Sequence, residues 1–111
     1  MKKLIKCGML FRATNEATEQ NMAIVIDGNK ISDVLGISQV GDLGNFDVID
    51  LSEKFVMPGL IDAHTHCWAN GSFQDLTDGA MYSISIPTYA LRGLKWVQDD
   101  LMGGFTTIRD A

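Results

Sequence analysis

The two histidines of this chain, His64 and His66, are separated by one residue and are the side chains best placed for metal chemistry. They follow a nearly uninterrupted apolar run from Phe55, which predicts a strand buried on both faces of a parallel sheet. Side chains two apart on a strand share a face, so both imidazoles would project together, away from Thr65 and Cys67. Imidazole suits zinc, iron, nickel and copper. The spacing therefore predicts two ligands for one ion, although ordinary hydrogen-bonded histidines also occur at this spacing.

Two motifs carry a resemblance to a known family. The segment from Met57 to His66, MPGLIDAHTH, resembles the first-strand signature of the amidohydrolase superfamily, and GFTTIRD, from Gly104 to Asp110, resembles its second strand. The second motif is most like the prolidase-like and imidazolonepropionase-like subgroup. The resemblance implies an α/β fold, with a small N-terminal β-sandwich lobe and the start of a (β/α)8 barrel in which His64 and His66 hold the metal.

The chemistry that the resemblance implies is hydrolysis of C–N bonds in amides, cyclic amides or dipeptides. The expected cofactor is a divalent metal, zinc above others, as one or two ions. Such an ion lowers the pKa of its bound water to about 7, so that hydroxide is present at neutral pH. In the family, the other ligands and the acid that activates water lie on later strands. No catalytic residue is therefore assigned within the chain, and His64 and His66 are expected to bind as neutral imidazoles.

The length of 111 residues is short for such an enzyme, because a complete barrel takes about 250 residues. We therefore expect an N-terminal portion that is inactive by itself and needs the remainder of the barrel. Alone, it would expose the flank of a strand and a helix face, which predicts instability or aggregation.

Four short strands are predicted before the histidine motif, over residues 3–12, 22–26, 31–35 and 46–51. Gly28 and Asn29 tolerate the positive φ of a tight turn and predict a hairpin between the second and third strands. We predict that the four strands are antiparallel and form the N-terminal part of the sandwich lobe over 1–57, with the barrel beginning at 58–111. Pro58 and Gly59 would let the backbone bend between the two.

A long segment, 67–85, follows the histidine motif. The loop after a barrel strand lies on the active-site face, so Trp68, Phe73 and Tyr82 are candidates for lining a substrate pocket. Aromatic side chains in such loops more often pack the loop onto its own domain, and we favour that interpretation. Cys67 would face away from the histidines and is left out of the site.

Apolar residues at intervals of three and four then predict an amphipathic helix that packs on a sheet. They are Ile86, Ala90, Leu94, Val97 and Leu101. Ser85 is placed to cap this helix, Pro87 fits its first turn, and Gly103–Gly104 should end it.

A second β run, Phe105 to Ile108, completes a β-α-β order, whose strands should be parallel. Both strands would then end on one rim, with Arg109 and Asp110 near the histidines. A carboxylate there can orient a ligand histidine, but we favour a structural salt link between Arg109 and Asp110.

Composition and charge narrow the partners. A net charge of −5 argues against nucleic-acid or anionic-membrane binding, which needs clustered Lys and Arg. The start of the chain lacks the apolar core of a signal peptide, no uncharged run reaches the roughly 20 residues of a membrane span, and two cysteines do not make a disulfide framework. We expect a cytoplasmic protein that acts on a small-molecule substrate. The sequence is also compatible with a homo-oligomer.

Two alternatives remain open at this point. One is a non-catalytic truncated product or subunit that needs a partner chain to complete the barrel, which predicts co-purification with that partner. The other is a small metal-binding or ligand-binding β module, which predicts a stably folded monomer that retains one zinc ion.

Overall fold

The computed structural model describes residues 2–69, 71 and 84–111 and divides the chain into two compact units, Met1–Pro58 and Gly59–Ala111. The described residues are mostly β-sheet with one α-helix. The elements are β1 (Lys2–Phe11), β2 (Thr18–Asp27), β3 (Lys30–Gly36), β4 (Phe46–Val56), β5 (Leu60–Thr65), α1 (Ile86–Met102) and β6 (Phe105–Asp110), with 3-10 turns at Ile37–Gln39 and Leu43–Asn45. Within the described residues, no helix combines the length and apolar character that crossing a membrane requires.

The first unit is a four-stranded sheet in the order β3-β2-β1-β4. The predicted hairpin is present, because β2 and β3 are antiparallel and the turn between them contains Gly28 at a φ of 62°. The prediction of four antiparallel strands is wrong, since β4 pairs with β1 in parallel, with Lys2 opposite Phe46 and Leu10 opposite Val56.

The connection between β3 and β4 explains the parallel pairing. Two antiparallel steps leave β3 running in the same direction as β1, so the chain must return across the sheet before β4 begins. Residues 37–45 make this return, and on the way Ile37 and Val40 pack against the buried cluster of Leu4, Ala23 and Val25. The crossover thus also covers one face of the sheet.

A second buried cluster consists of Cys7, Leu10, Met22 and Ile24, and burial raises the pKa of the Cys7 thiol. Cys7 and Leu10 are three apart yet belong to one cluster, because the register with β4 shifts between Cys7 and Met9. The backbones lie very close here: a Cβ on Gly8 would come within 2.0 Å of the Ser52 oxygen. Only glycine permits this approach.

Polar contacts also join β1 to β4. The Lys6 ammonium lies 2.9 Å from the Asp50 carboxylate, which also accepts a hydrogen bond from the Ser52 main-chain N–H at 3.0 Å. Hydrogen bonds from Ser52 and then from Lys6 hold the pKa of Asp50 well below its ordinary value of 3.8. This carboxylate is therefore ionised throughout the neutral range.

The second unit has the predicted β-α-β order, and the parallel pairing of β5 with β6 confirms that prediction. The two strands approach closely at their start, where a Cβ on Gly59 would lie 2.0 Å from Thr106 Oγ1. Helix α1 begins after Ser85, has Pro87 in its first turn, and is followed by Gly104 at a φ of 100°. A side-chain cap from Ser85 was expected, but its hydroxyl bonds the Thr88 hydroxyl at 2.9 Å instead.

The face of α1 that is less exposed differs from the predicted stripe. Ile86, Leu94 and Leu101 are exposed, at 83%, 56% and 57%. The half-buried positions are Tyr89, Gly93, Trp96, Val97 and Asp100. Gly93 lies on this face, and a Cβ there would be 3.3 Å from the Cys67 carbonyl oxygen. An apolar stripe predicts that a face will be covered, but not by which part of a chain.

Candidate metal-binding site

The end of β5 departs from regular strand geometry just before the histidines. Asp62 pairs with Ile108 and Thr65 pairs with Asp110, so three steps along β5 match two steps along β6. The extra residue is a β-bulge, a feature that re-aims side chains and is over-represented next to active sites. His64 lies within this bulge.

Asp62 compensates for the bulge. Its carboxylate Oδ1 accepts a hydrogen bond from the His64 main-chain N–H at 3.0 Å. An Asp side chain that binds the backbone two residues later is a common local motif. The carboxylate thus fixes the backbone from which the first imidazole projects, a role that the sequence reasoning missed although the Asp-x-His spacing was a signal for it.

The two imidazoles lie side by side at the end of the strand. Their ring centroids are 5.2 Å apart and the ring planes are inclined by 80°. His64 is exposed and His66 is half-buried. The structure therefore brings together the two residues that the sequence singled out as metal ligands.

A neighbouring main-chain oxygen selects the neutral tautomer of the His66 ring. His66 Nδ1 lies 2.7 Å from the main-chain oxygen of Ala111. Because that oxygen can only accept, Nδ1 is the donor, and the neutral tautomer that makes this hydrogen bond has its free lone pair on Nε2. The pairing of a ligand histidine with a backbone carbonyl through its other nitrogen is typical of metal sites.

The end of β6 also holds the backbone on either side of His66. The Ala111 N–H donates to the Thr65 carbonyl at 2.9 Å, and the Cys67 N–H donates to Asp110 Oδ1 at 2.9 Å. Within the described part of the chain, Arg109 and Asp110 form no ion pair with each other. The expected salt link is therefore wrong, because the Asp110 carboxylate is used to bind the Cys67 backbone.

Cys67 follows His66 directly and is half-buried. Burial, followed by the charge of Asp110, raises the pKa of Cys67. The thiol is therefore protonated at neutral pH and is a poor nucleophile. Its absence from the predicted ligand set stays a prediction.

Trp68 packs between the site and the helix. Its ring lies 5.8 Å from the His66 ring and 5.6 Å from the Tyr89 ring, measured between centroids. Tyr89 was not predicted at the site, because it lies on α1 and not in the loop that follows β5. Phe73 and Tyr82, the other two candidates for a pocket lining, lie outside the described residues.

The donor set fits part of a metal site. Two imidazoles bound to one tetrahedral ion at about 2.0–2.1 Å place their ring centres roughly 5 Å apart, close to the separation seen here. A zinc site takes at least three protein ligands. No cluster of three His, Cys, Asp or Glu side chains suited to a metal occurs among residues 2–69, 71 and 84–111. Further ligands would have to come from elsewhere.

Comparison with known proteins gives related enzymes. The chain is 49% identical over 43 residues to the 5-methylthioadenosine/S-adenosylhomocysteine deaminase of Carboxydothermus hydrogenoformans, which covers 39% of the chain and 10% of the deaminase. No protein-family model matches the chain.

Solved structures match the whole chain or nearly all of it. A prolidase complexed with N-methylphosphonate-L-proline is 30% identical over 100% of the chain with a TM-score of 0.83, and an amidohydrolase is 29% identical over 100% with a TM-score of 0.82. A zinc-bound adenosine deaminase from Xanthomonas campestris shares the fold, at 19% identity over 97% of the chain and a TM-score of 0.77. The chain spans about a quarter of the length of each of these structures.

Proposed function

We propose, from the resemblance of this chain to the N-terminal part of amidohydrolase-superfamily enzymes, that it supplies two metal ligands to a hydrolase of that kind. The related proteins are hydrolases and deaminases that act on C–N bonds. The proposed activity is therefore hydrolysis of a C–N bond by metal-activated water, with His64 and His66 as the ligands. The observation that carries the proposal is the pair of adjacent imidazoles at the end of β5, a strand that pairs in parallel with β6.

Each residue at the site has a defined part in this proposal. His66 donates a hydrogen bond from Nδ1 to the Ala111 oxygen, and the lone pair on Nε2 of this neutral tautomer would bind the metal. Asp62 and Asp110 hold the backbone at His64 and Cys67. A divalent ion held by the imidazoles would polarise a carbonyl oxygen and lower the pKa of bound water to about 7. Zinc is the ion that we propose, because two imidazoles suit it and a fold neighbour is a zinc-bound deaminase.

The substrate falls within two chemical classes under this proposal. The similarity to a prolidase supports a dipeptide ending in proline, and the similarity to deaminases supports an amine on a purine-like ring. The loops that follow later strands determine the choice in barrel enzymes. The alternative of a small binding module is not favoured, since the similarity to the larger enzymes extends through both units.

The proposal is tested on the protein expressed from the complete reading frame that contains this chain. Metal content by elemental analysis should fall below half an equivalent in a His64→Ala/His66→Ala variant, with Thr65→Ala as the matched control. Hydrolysis of Xaa-Pro dipeptides and deamination of adenosine-type substrates are then compared before and after chelation. Unchanged metal in the double variant would exclude the ligand assignment, and activity that survives both chelation and the double substitution would exclude the mechanism.

A further inference from the structure

The residues around His66 form hydrogen bonds to the end of β6 that extend beyond the paired part of β5. Strand β5 ends at Thr65, so the sheet ladder itself does not fix His66 or Cys67. Three consecutive residues nevertheless bind Asp110 and Ala111: the Thr65 carbonyl, the His66 ring and the Cys67 N–H.

Asp110 is the one member of this set that contributes a side chain from β6. Its Oδ1 accepts the Cys67 N–H at 2.9 Å, the ordinary length of an N–H···O hydrogen bond. Without this bond, the Cys67 N–H would lose its contact with β6, and the turn after β5 would be held by the Ala69 N–H to His66 carbonyl hydrogen bond at 2.9 Å and by the packing of Trp68 on Tyr89. The 2.7 Å bond from His66 Nδ1 to Ala111 would then lose its geometry, because it depends on the backbone on both sides of the ring.

We propose that Asp110 is a positioning residue for the metal site, which acts by binding the Cys67 backbone and thereby orienting the His66 imidazole with Nε2 toward the ion. This inference rests on the proposed function. Asp110 is not itself proposed as a ligand, because the described residues contain no cluster of three donors that joins it to the two histidines.

A second carboxylate, that of Asp62, holds the same segment and supports the inference. Asp62 and Asp110 belong to different strands, and their carboxylates bind the main-chain N–H groups of His64 and Cys67. The His-x-His segment is therefore held by a carboxylate at each end. Ala111 contacts the His66 ring directly, and Asp110 acts on the ring through the Cys67 backbone.

The test measures zinc affinity by competition with a chromophoric chelator, in the protein from the complete reading frame. Replacement of groups that orient a ligand typically costs 10–100-fold in metal affinity, so Asp110→Ala should weaken zinc binding by about that factor. Asp110→Asn keeps an oxygen acceptor at the same place and should lose less than about fivefold. Asp27→Asn, which removes an exposed ion pair with Lys2 in the other unit, is the matched control and should bind zinc as the wild type does.

A second measurement separates positioning from a general loss of stability. The visible absorption spectrum of the cobalt(II)-substituted protein should change in Asp110→Ala and return toward the wild type in Asp110→Asn. If the alanine variant does not fold, Asp110→Glu replaces it, since one extra methylene displaces the carboxylate from Cys67 and should cause the same loss of affinity.

The outcomes are distinct for the two proposals. Wild-type zinc affinity or a wild-type cobalt spectrum in Asp110→Ala, or in its glutamate substitute, would overturn the positioning role. An asparagine variant as impaired as the alanine variant would also overturn it, because charge rather than the hydrogen bond would then matter. Metal that persists after both histidines are replaced would instead remove the proposed function.

Discussion

Replacing Gly59 by alanine should destabilise the second unit through a clash that is defined atom by atom. A Cβ at this position would lie 2.0 Å from Thr106 Oγ1, 2.3 Å from its Cγ2 and 2.6 Å from its Cβ. Rotation of the threonine side chain can move the first two atoms but not the third. Because carbon atoms are best separated by about 3.5–4.0 Å, one strand must shift by about 1 Å.

The expected cost follows from the surroundings of this contact. The next residue, Leu60, donates its N–H to the Gly104 carbonyl at 2.9 Å and pairs with Phe105, so a shift at Gly59 strains the start of both strands. Overpacking of this kind costs about 1–3 kcal/mol in the free energy of unfolding. Denaturant unfolding followed by the fluorescence of Trp68 and Trp96 reports on this unit.

Two further variants make the Gly59 experiment decisive. Gly41→Ala is the matched control, because a Cβ there meets nothing within 4 Å, and it should not reduce stability. Thr106→Gly removes the clashing atoms, so the cost of Gly59→Ala should nearly vanish in that background, with a coupling of about 1–3 kcal/mol. A loss below about 0.5 kcal/mol for Gly59→Ala, or an equal loss with and without Thr106, would refute the steric explanation.

Three other experiments test the first unit. Leu4→Ala should lower the free energy of unfolding in urea by about 2–5 kcal/mol, since Leu4 is fully buried. Ile31 is 64% exposed, so Ile31→Ala should cost under about 0.5 kcal/mol. Equal costs would contradict the assigned core. Hydrogen bonds, first from Ser52, lower the pKa of Asp50, so its contribution to stability is present above about pH 4 and is lost as the pH falls below that value. In Asp50→Asn, the free energy of unfolding should therefore depend less steeply on pH in this acid range. An unchanged slope would refute this explanation. Cys7, which is 2% exposed and has a raised pKa, should react with a thiol reagent only as fast as the unit unfolds, and rapid labelling under native conditions would contradict its burial.

Local sequence patterns predicted the second unit well, because its determinants are local. The three- and four-residue spacing, Pro87 and the paired glycines defined α1 to within a residue or two, and the parallel order of β5 and β6 follows from the helix that joins them. The side-by-side placement of His64 and His66 was also predicted. Their role as ligands stays a prediction.

Features that depend on distant neighbours were not predictable from local patterns. The direction of β4 is set by the return path of residues 37–45, which no periodicity reveals. The bulge near His64 is one extra residue relative to β6, and only the paired strand shows it. The less exposed face of α1 includes Gly93, which lies close to the Cys67 carbonyl, whereas Leu94 of the predicted apolar stripe is exposed.

The central place of β1 has a consequence for synthesis on the ribosome. Its contacts with β4 reach across the sequence, as the Lys6–Asp50 ion pair shows with a separation of 44 residues. At about 5–20 residues per second, several seconds pass between the synthesis of β1 and that of β4, its last neighbour in the sheet. During that interval one flank of β1 has unpaired backbone groups, and Lys2, Lys3 and Lys6 put positive charge on that strand. Charged side chains of this kind discourage pairing with other nascent chains, so their loss should lower soluble yield more than it lowers the stability of the finished protein.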